Sequence, residues 1–399
     1  MSKTHYFTSI ASNYLPKARI LARSLRKYDP DAIIHVVLCD VPPADFDLNQ
    51  EPFDHLHLVR DLAIPNLMGW LFQHDLVEMC TAVKGPALCK IFEEYDAEQV
   101  FYFDPDIVVF HSLDGLKEQL AQASVVLTPH QVAPETQDEA VQHNELTSLK
   151  YGVYNLGFLG VRRTDGGLSF ARWWRDRLLS YCFADIPNGL FTDQRWCDLA
   201  PALFDDVRIL RDKPYNIATW NLTHREVTLS AEGTLTVDGK PLVFFHFSGF
   251  DSGGQFTMLK KYAPVDSPLF ALHDWYVREM DKEGQQQLGQ LPCIYSQYFN
   301  GTPIPPAHRR LYRARRELQE RFPRPFDVDV AYELYDWMKL AAPPEGNRDP
   351  EPALAFGLDV EDPRATLTWR IGKLITGPVE RAVNLVPGLG PAIKQKLNR

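Results

Sequence analysis

Short apolar runs alternate with longer amphipathic stretches along the first two thirds of the chain. The first run, THYFTSIA, precedes YLPKARILARSLRKYDP, whose apolar residues have helical spacing and which ends at Asp29-Pro30. The next run, AIIHVVLCD, is β-branched and unbroken, as in a strand buried on both faces. A helical pattern over 70–95 and three more strand-like runs follow: QVFYFDPDIVVF, ASVVLTPH and VYNLGFLGVRR. This β-α-β order predicts an α/β fold with a mixed, mostly parallel sheet flanked by helices.

The rest of the pattern predicts a helix, a hairpin, a late strand and a helical C-terminal extension. The first three segments are SFARWWRDRLLSYC, TLTVDGKPLV around Asp238-Gly239, and PLVFFHFSGF. From about residue 262 the pattern is helical and irregular, and it includes the basic stretch AHRRLYRARRELQERF. We therefore expect a domain over 1–262, a helical extension over 263–340, and a linker rich in proline and acidic residues that leads into a basic amphipathic segment over 341–399.

Composition excludes several classes of protein. With 45% hydrophobic and 24% charged residues, the 399-residue chain has the composition of an ordinary globular protein. Its net charge of -10 argues against binding to nucleic acid. Six cysteines without a CxxC pair provide neither a disulfide framework nor a zinc site. The N-terminus, MSKTHYFTSIAS, lacks the apolar core of a signal peptide, so we expect a cytoplasmic location.

The C-terminal segment differs from the body of the chain in charge. From Gly301 onward there are 16 Lys and Arg against 13 Asp and Glu, whereas the first 300 residues carry 26 against 39. In the last thirty residues, basic side chains are interleaved with apolar ones. One hypothesis is peripheral attachment to the inner face of an anionic membrane. The alternative is a C-terminal helix that packs on the domain and keeps its charges in water.

Two carboxylates interrupt the apolar run VFYFDPDIVVF, at Asp104 and Asp106. An ionised carboxylate in a buried strand is costly unless it is paired or bound to a metal. Pro105 favours an extended Asp104, and residues two apart in an extended segment point to the same side. The two carboxylates should therefore converge, which suits a divalent cation with oxygen ligands, Mg²⁺ or Mn²⁺. The alternative is a solvated turn in which an aspartate caps the backbone.

Six segments in a fixed order carry a resemblance to a known family: FTSIASNYLPKARILARSL, KGPALCKIF, FYFDPDI, VYNLGFLGVRR, FTDQRW and FFHFSGF. The set resembles glycosyltransferases of the Rossmann-like GT-A fold, more narrowly the retaining glycogenin and galactosyltransferase group called family 8. The resemblance runs from about Thr4 to Asp251. It implies transfer of a sugar from a nucleoside-diphosphate donor, a UDP-sugar, to a glycan, a lipid-linked molecule or another acceptor, with retention of anomeric configuration.

The resemblance also implies a metal site. It assigns Mn²⁺ or Mg²⁺ to Asp104, Asp106 and His246. The alternative for His246 is a hydrogen-bonded histidine of the core. Gly249 would let the backbone approach the phosphates. The family usually carries a lysine shortly after this His and Gly to bind the diphosphate, and HFSGFDSGGQF has none.

Five further residues match positions where the family binds the donor. Thr8 and Tyr14 would contact the base, although Tyr14 also fits a hydrophobic staple. Asp40 would contact base or ribose, or would cap the next segment. Lys84 matches a basic position near phosphate or sugar, against the ordinary case of a solvated surface lysine. Asn155 would hydrogen-bond the donor sugar, or would stabilise a turn.

The segment FTDQRW supplies the candidate catalytic pair, Asp193 and Gln194. The resemblance places Gln194 on the face opposite the leaving group and Asp193 on the donor hydroxyls. Neither is a strong nucleophile, so we favour a front-face mechanism in which the leaving phosphate accepts the proton of the acceptor. The alternative is an ordinary helix N-cap at Thr192 or Asp193.

Two other functions compete with sugar transfer. A nucleotidyltransferase that makes nucleoside-diphosphate sugars would have a glycine-rich loop after the first strand, and SIASNYLPKAR contains no glycine. A non-catalytic binding or scaffold protein with the GT-A fold is the second competitor. The missing lysine favours it, whereas both aspartates and His246 are present.

Overall fold

The computed structural model describes residues 4–328 and 333–341. Its strands are β1 (Thr4–Ile10), β2 (Ile33–Leu38), β3 (His55–Leu58), β4 (Gln99–Phe103), β5 (Ile107–Val109), β6 (Val125–Pro129), β7 (Tyr154–Arg162), β8 (Val207–Ile209), β9 (Val227–Leu229), β10 (Leu235–Val237), β11 (Lys240–Pro241) and β12 (Phe244–His246). The first eight helices are α1 (Leu15–Tyr28), α2 (Leu67–Gln73), α3 (Leu76–Ala82), α4 (Lys84–Glu94), α5 (Asp114–Ala121), α6 (Asp138–Ala140), α7 (Leu146–Tyr151) and α8 (Asp165–Tyr181). The later ones are α9 (Gln194–Cys197), α10 (Ala200–Leu203), α11 (Gly254–Tyr262), α12 (Pro268–Lys282), α13 (Gln285–Leu288), α14 (Pro306–Ala314), α15 (Arg316–Arg321) and α16 (Leu334–Ala341).

The main sheet has seven strands in the order β3-β2-β1-β4-β7-β6-β8. Strands β3, β2, β1 and β4 are parallel to one another, and β6 is parallel to β8. Strand β7 runs antiparallel between β4 and β6. This arrangement confirms the predicted mixed, mostly parallel sheet. The carboxyl ends of β1, β2 and β4 lie at one edge, where open α/β sheets bind their ligands.

Helices cover both faces of this sheet, because the central strands are buried on both sides and most of their side chains are apolar. Tyr6 points into the core formed with α1 and α5, whereas its neighbour Phe7 points into the core formed with α4 and α8. Trp174 of α8 is fully buried in the second core, as expected for a packing residue. Helix α8 approaches α4 closely, since a side chain at Gly85 would lie 2.6 Å from the Cα of Arg175. This packing fixes the first turn of α4 at the edge that carries the candidate site.

The segment QVFYFDPDIVVF is not one strand, so that prediction was wrong. Strand β4 ends at Phe103, and β5 pairs with β12 in a separate two-stranded sheet. Between them, the amide of Ile107 donates to the carbonyl of Asp104 at 3.0 Å, which closes a turn around Pro105. Pro105 has no amide hydrogen to donate to a strand ladder, which explains the break. The change of sheet places His246, opposite Ile107, beside both aspartates.

The helical extension packs against the α/β domain. The guanidinium of Arg309 on α14 donates to the carbonyls of Phe72 (3.0 Å), in the last turn of α2, and His74 (2.6 Å), just after it. The basic stretch AHRRLYRARRELQERF breaks at Arg315, which is extended between α14 and α15. Residue 262 is the last residue of α11, and the domain boundary expected there stays a prediction. The predicted linker and basic C-terminal segment lie, from residue 342 on, outside the described residues.

None of the helices described over 4–328 and 333–341 combines the length and the hydrophobicity that crossing a lipid bilayer requires.

A row of histidines crosses the main sheet at β1, β2 and β3. Nδ1 of His5 lies 2.8 Å from Nε2 of His35, and Nδ1 of His35 lies 3.0 Å from Nε2 of His57. The rings stack at centroid distances of 5.1 and 5.2 Å. Burial, helped by the neighbouring histidines, lowers the pKa of His35 to about 2, and burial lowers that of His57 to about 4. The imidazoles of His35 and His57 are therefore neutral in the folded protein at pH 7.

We expect the free energy of unfolding to fall as the pH is lowered below 6.5. Burial also lowers the pKa of His74 to about 3. His35, His57 and His74 therefore take up a proton near pH 6.5 only when the chain unfolds. Each such histidine contributes a slope of about 1.4 kcal/mol per pH unit between its unfolded and folded pKa values. Urea unfolding at several pH values measures this slope. His74→Phe should reduce it, whereas the exposed control His111→Phe should not; equal slopes for all three proteins would contradict the assignment.

Candidate metal and donor site

Asp104, Asp106 and His246 converge at the carboxyl edge of the sheet. Nε2 of His246 lies 3.1 Å from Oδ1 of Asp106 and 3.8 Å from Oδ2 of Asp104. One ligand atom from each of the three side chains falls within 4.8 Å of the others. Gly157 on β7 makes room for the imidazole, because a Cβ there would lie 2.5 Å from Cε1 of His246. The turn between β4 and β5 provides the two carboxylates, and β12 provides the imidazole. This donor set suits Mn²⁺ or Mg²⁺.

The electrostatics of these three side chains agree with a cation site. Burial alone would lower the pKa of His246, but Asp106 and then Asp104 offset this effect and raise it. Burial alone would raise the pKa of Asp106, but the imidazole of His246 offsets this effect and lowers it. The cluster thus favours positive charge at its centre. A divalent cation would bind the same atoms in competition with a proton on His246.

Lys84 is buried against Asp104 and Asp193 and is not a surface lysine. It occupies the first turn of α4 and is 2% exposed. Its ammonium lies 2.8 Å from Oδ2 of Asp193, 3.3 Å from Oδ1 of Asp104 and 3.1 Å from the carbonyl of Leu156. Burial would lower the pKa of Lys84, but Asp104 and Asp193 outweigh it and raise the pKa well above its usual value. Lys84 is therefore a charged link between the metal cluster and the candidate catalytic segment.

Asp193 and Gln194 are both fixed by the surrounding structure. Asp193 accepts from the hydroxyl of Thr192 at 3.1 Å, and its burial raises its pKa although Lys84 opposes this. It makes no side-chain capping bond to α9, which excludes the N-cap alternative for this residue. Gln194 donates to the carbonyl of Tyr151 at 2.9 Å and accepts from the amide of Leu156 at 3.4 Å. Its amide group is therefore held in one orientation.

Asn155 belongs to a buried polar network that the sequence does not reveal. Its Oδ1 accepts from the amide of Gly157 at 3.1 Å and from the side chain of Asn216 at 3.0 Å. Its Nδ2 lies 3.3 Å from Nε2 of His130. Asn216 has a positive φ of 52° and also donates to the hydroxyl of Thr128 at 2.8 Å. Asn155 thus stabilises the backbone at Gly157, directly beside His246.

The remaining predicted donor contacts surround the same edge. Thr8 is buried on β1, and its hydroxyl has no hydrogen-bond partner among the described residues. The carboxylate of Asp40 accepts from the amides of Val41 (2.9 Å) and Ile294 (3.1 Å), so it ties the extension to the end of β2. Gly249 follows His246 with a positive φ of 74°. It therefore occupies a left-handed conformation that favours glycine.

Tyr14 belongs to a group that sequence analysis identified only in part. Its hydroxyl donates to Oδ2 of Asp251 at 2.7 Å, and the ammonium of Lys17 lies 3.9 Å from the centre of its ring. Lys17 is paired with Asp251 and is 2% exposed. In the sequence, Lys17 is one polar residue of an amphipathic helix, and Asp251 lies 234 positions later. Lys17 lies between Leu15 and Ala18, on a buried part of α1. A lysine among these apolar residues is the signal by which the sequence could have identified Lys17.

No protein-family model matches this chain. Two proteins of Bacillus subtilis (strain 168) are similar to it. The uncharacterized protein YfnD is 25% identical over 255 residues, which cover 63% of this chain and 79% of YfnD. The uncharacterized protein YfnF is 27% identical over 249 residues, which cover 61% of this chain and 81% of YfnF. Among solved structures, the galactosyltransferase LgtC in complex with donor and acceptor sugar analogues is similar, with 15% identity, a TM-score of 0.39, and coverage of 72% of this chain and 97% of LgtC. The glycosyltransferase GlyE of Streptococcus pneumoniae TIGR4 and mouse xyloside xylosyltransferase 1 are also similar to it. These three solved structures are of glycosyltransferases.

Proposed function

We propose that the chain is a metal-dependent glycosyltransferase that moves a sugar from a nucleoside-diphosphate donor to an acceptor. The observation that carries the proposal is the convergence of Asp104, Asp106 and His246 at the carboxyl edge of the sheet. Mn²⁺ or Mg²⁺ would be held by these three side chains. Uridine as the base, a glycan or lipid-linked acceptor and retention of configuration follow from the resemblance in the sequence. The cytoplasm, or the inner face of the membrane, is the location that we propose.

The chemistry needs few protein groups. A divalent cation, when bound, supplies positive charge against the charge that develops on the leaving diphosphate. Lys84 keeps Asp104 and Asp193 in fixed positions, so the metal site and the sugar site keep a constant separation. Asp193 would bind donor hydroxyls, and the oriented amide of Gln194 would face the anomeric carbon. In a front-face reaction the leaving phosphate takes the proton of the acceptor, so the protein need not supply a base.

The structure argues against a nucleotidyltransferase more directly than against a non-catalytic scaffold. In a nucleotidyltransferase a glycine-rich loop would follow β1, whereas here a short 3-10 turn, Ser12–Tyr14, leads into α1 with a proline in its first turn. A non-catalytic scaffold would have no need for the charged side chains that Lys84 joins. It stays the alternative that the next experiment must exclude.

A thermal-shift screen tests the proposal without knowledge of the acceptor. UDP, GDP and their common sugar conjugates are each added with Mn²⁺, Mg²⁺ or EDTA. A donor present at a hundredfold excess over its Kd stabilises the folded protein by about 2.7 kcal/mol, which raises Tm by several degrees. We expect one nucleotide series to stabilise the protein only with metal. If no nucleotide shifts Tm with either metal, the scaffold function replaces the proposed one.

A further inference from the structure

The charge of Lys84 is already balanced within the protein. Its ammonium donates to Asp104 and to the carbonyl of Leu156, and it is paired with Asp193 at 2.8 Å. Two carboxylates therefore already compete for this one positive charge. A diphosphate bound at the metal cluster therefore needs a second cation from elsewhere in the chain.

Lys17 is a buried lysine with donors to spare. It lies in the first turn of α1, and the described residues give its ammonium one hydrogen-bond acceptor, Asp251. It also lies beside the loop that follows His246, because its ammonium is 6.0 Å from the centre of the Phe250 ring. Because a buried ammonium is costly without partners, a site with one carboxylate at Lys17 is incomplete.

Asp251 covers Lys17 from a loop that begins at the metal cluster. The amide of Phe247, the residue after His246, donates to the carbonyl of Asp106 at 2.8 Å. The chain then turns at Gly249 and Gly253, which have positive φ values of 74° and 73°. The carboxylate of Asp251 is 44% exposed, whereas the Lys17 side chain is 2% exposed. Asp251 can therefore turn into solvent once another anion takes its place at the buried ammonium.

The helical extension adds an unpaired donor to the same place. Tyr276 of α12 is fully buried, and its hydroxyl has no hydrogen-bond partner among the described residues. Its ring is fixed by Phe247, stacked at 3.8 Å, and by the edge contact of Phe250 at 5.0 Å. Phe250, which contacts the ring of Tyr276, also lies 6.0 Å from the ammonium of Lys17, so both side chains border the same aromatic ring. An oxygen atom of a ligand would satisfy the buried hydroxyl.

We infer that Lys17 and the hydroxyl of Tyr276 bind a phosphate group of the donor, and that Asp251 holds Lys17 until that phosphate replaces it. The inference rests on the proposed function and adds the phosphate subsite to it. A phosphate oxygen accepts charge-assisted hydrogen bonds from an ammonium and an ordinary one from a phenol. In the free protein Lys17 is paired with Asp251, and in the complex the negative phosphate would be its partner instead.

The test measures binding of UDP in the presence of Mn²⁺ by calorimetry, with GDP as a second probe. Lys17→Met should weaken nucleotide binding about tenfold or more, and Tyr276→Phe about threefold, because each removes a donor to phosphate. Asp251→Asn should tighten binding about threefold, since a competing charge is removed. Lys260→Met is the matched control, because Lys260 is an exposed lysine of α11. This variant should bind UDP like the wild type. Mn²⁺ binding without nucleotide, followed by electron paramagnetic resonance, should not weaken in any of these variants.

Separate outcomes bear on separate claims. If the wild type binds neither UDP nor GDP with Mn²⁺, the proposed function fails and the inference fails with it. If the wild type binds and Lys17→Met binds equally well, the phosphate subsite alone is wrong. Weaker UDP binding by Asp251→Asn, in a sample whose ligand-free melting curve shows a folded protein, means that Asp251 does not compete with the phosphate for Lys17 and also overturns the inference. Loss of Mn²⁺ binding together with UDP binding in Lys17→Met would assign Lys17 to the metal site instead.

Discussion

Replacing Asp106 with asparagine is expected to lower sugar transfer by about three orders of magnitude. The variant keeps the size of the side chain but removes one of the two charges that attract the cation. Asp106 is also the closer partner of His246, at 3.1 Å, and its carbonyl anchors the loop at Phe247. Since only the carboxylate changes, the backbone contact survives and the loss is confined to metal binding. Release of nucleoside diphosphate from the donor named by the thermal-shift screen, at saturating Mn²⁺, measures the effect.

The control for this variant is Asp114→Asn. Asp114 begins α5, its side chain is 79% exposed, and it has no part in the metal cluster. We expect it to release nucleoside diphosphate at the wild-type rate. Asp106→Asn should also lose the metal-dependent rise in Tm while keeping the Tm of the ligand-free protein. Activity of Asp106→Asn close to that of Asp114→Asn would mean that Asp106 does not bind the cation.

Replacing Lys84 with methionine is expected to destabilise the fold by about 3–5 kcal/mol and to abolish activity. Methionine fills the volume of the lysine stem but leaves Asp104 and Asp193 without their buried cation. Removing one partner of a buried ion pair costs far more than the pair contributes, because the remaining charge is left uncompensated. Urea unfolding of the ligand-free protein at pH 7 gives the free energy of unfolding directly.

A second lysine of the same helix provides the control. Lys90 pairs with Glu94 one turn later on the outer side of α4, so Lys90→Met should change stability by less than about 1 kcal/mol. The loss in Lys84→Met should become smaller as the pH is lowered from 7 towards 4. The reason is that burial already raises the pKa of Asp193, and this carboxyl takes up a proton more readily once the ammonium is gone. A Lys84→Met protein as stable as Lys90→Met would show that the ammonium does not hold these carboxylates.

Local patterns in the sequence account for the sheet and for the metal cluster. Unbroken apolar runs locate β1, β2, β4, β6 and β7, and two aspartates in such a run are conspicuous because charge is costly there. The end of β4 at Phe103 was missed, because the runs on both sides of Asp-Pro-Asp are equally apolar. A pattern of apolar residues shows that a strand is buried but does not show which sheet it joins.

Partners that lie far apart in the chain explain what the sequence could not predict. Lys84 looks like an ordinary lysine at the start of a helix, and only the fold reveals its partners, which are Asp104 after β4, Leu156 of β7 and Asp193 before α9. Lys17 and Asp251 meet because α1 and the loop after β12 reach the same edge of the sheet. Asp40 was expected to contact the base or ribose or to cap the next segment, and its bond to the amide of Ile294 depends on the position of the extension. Each of these contacts is set by topology, which periodicity does not determine.

The central claim, a cation held by Asp104, Asp106 and His246, is tested most directly by anomalous diffraction. Crystals of the wild type and of Asp106→Asn are grown with Mn²⁺ and UDP, and data are collected at the manganese absorption edge. The account predicts one strong peak in the wild type, within bonding distance of the two carboxylates, the Nε2 atom of His246 and the diphosphate, and no peak there in Asp106→Asn. A wild-type map without manganese at these side chains, or with the same peak in the variant, would contradict it.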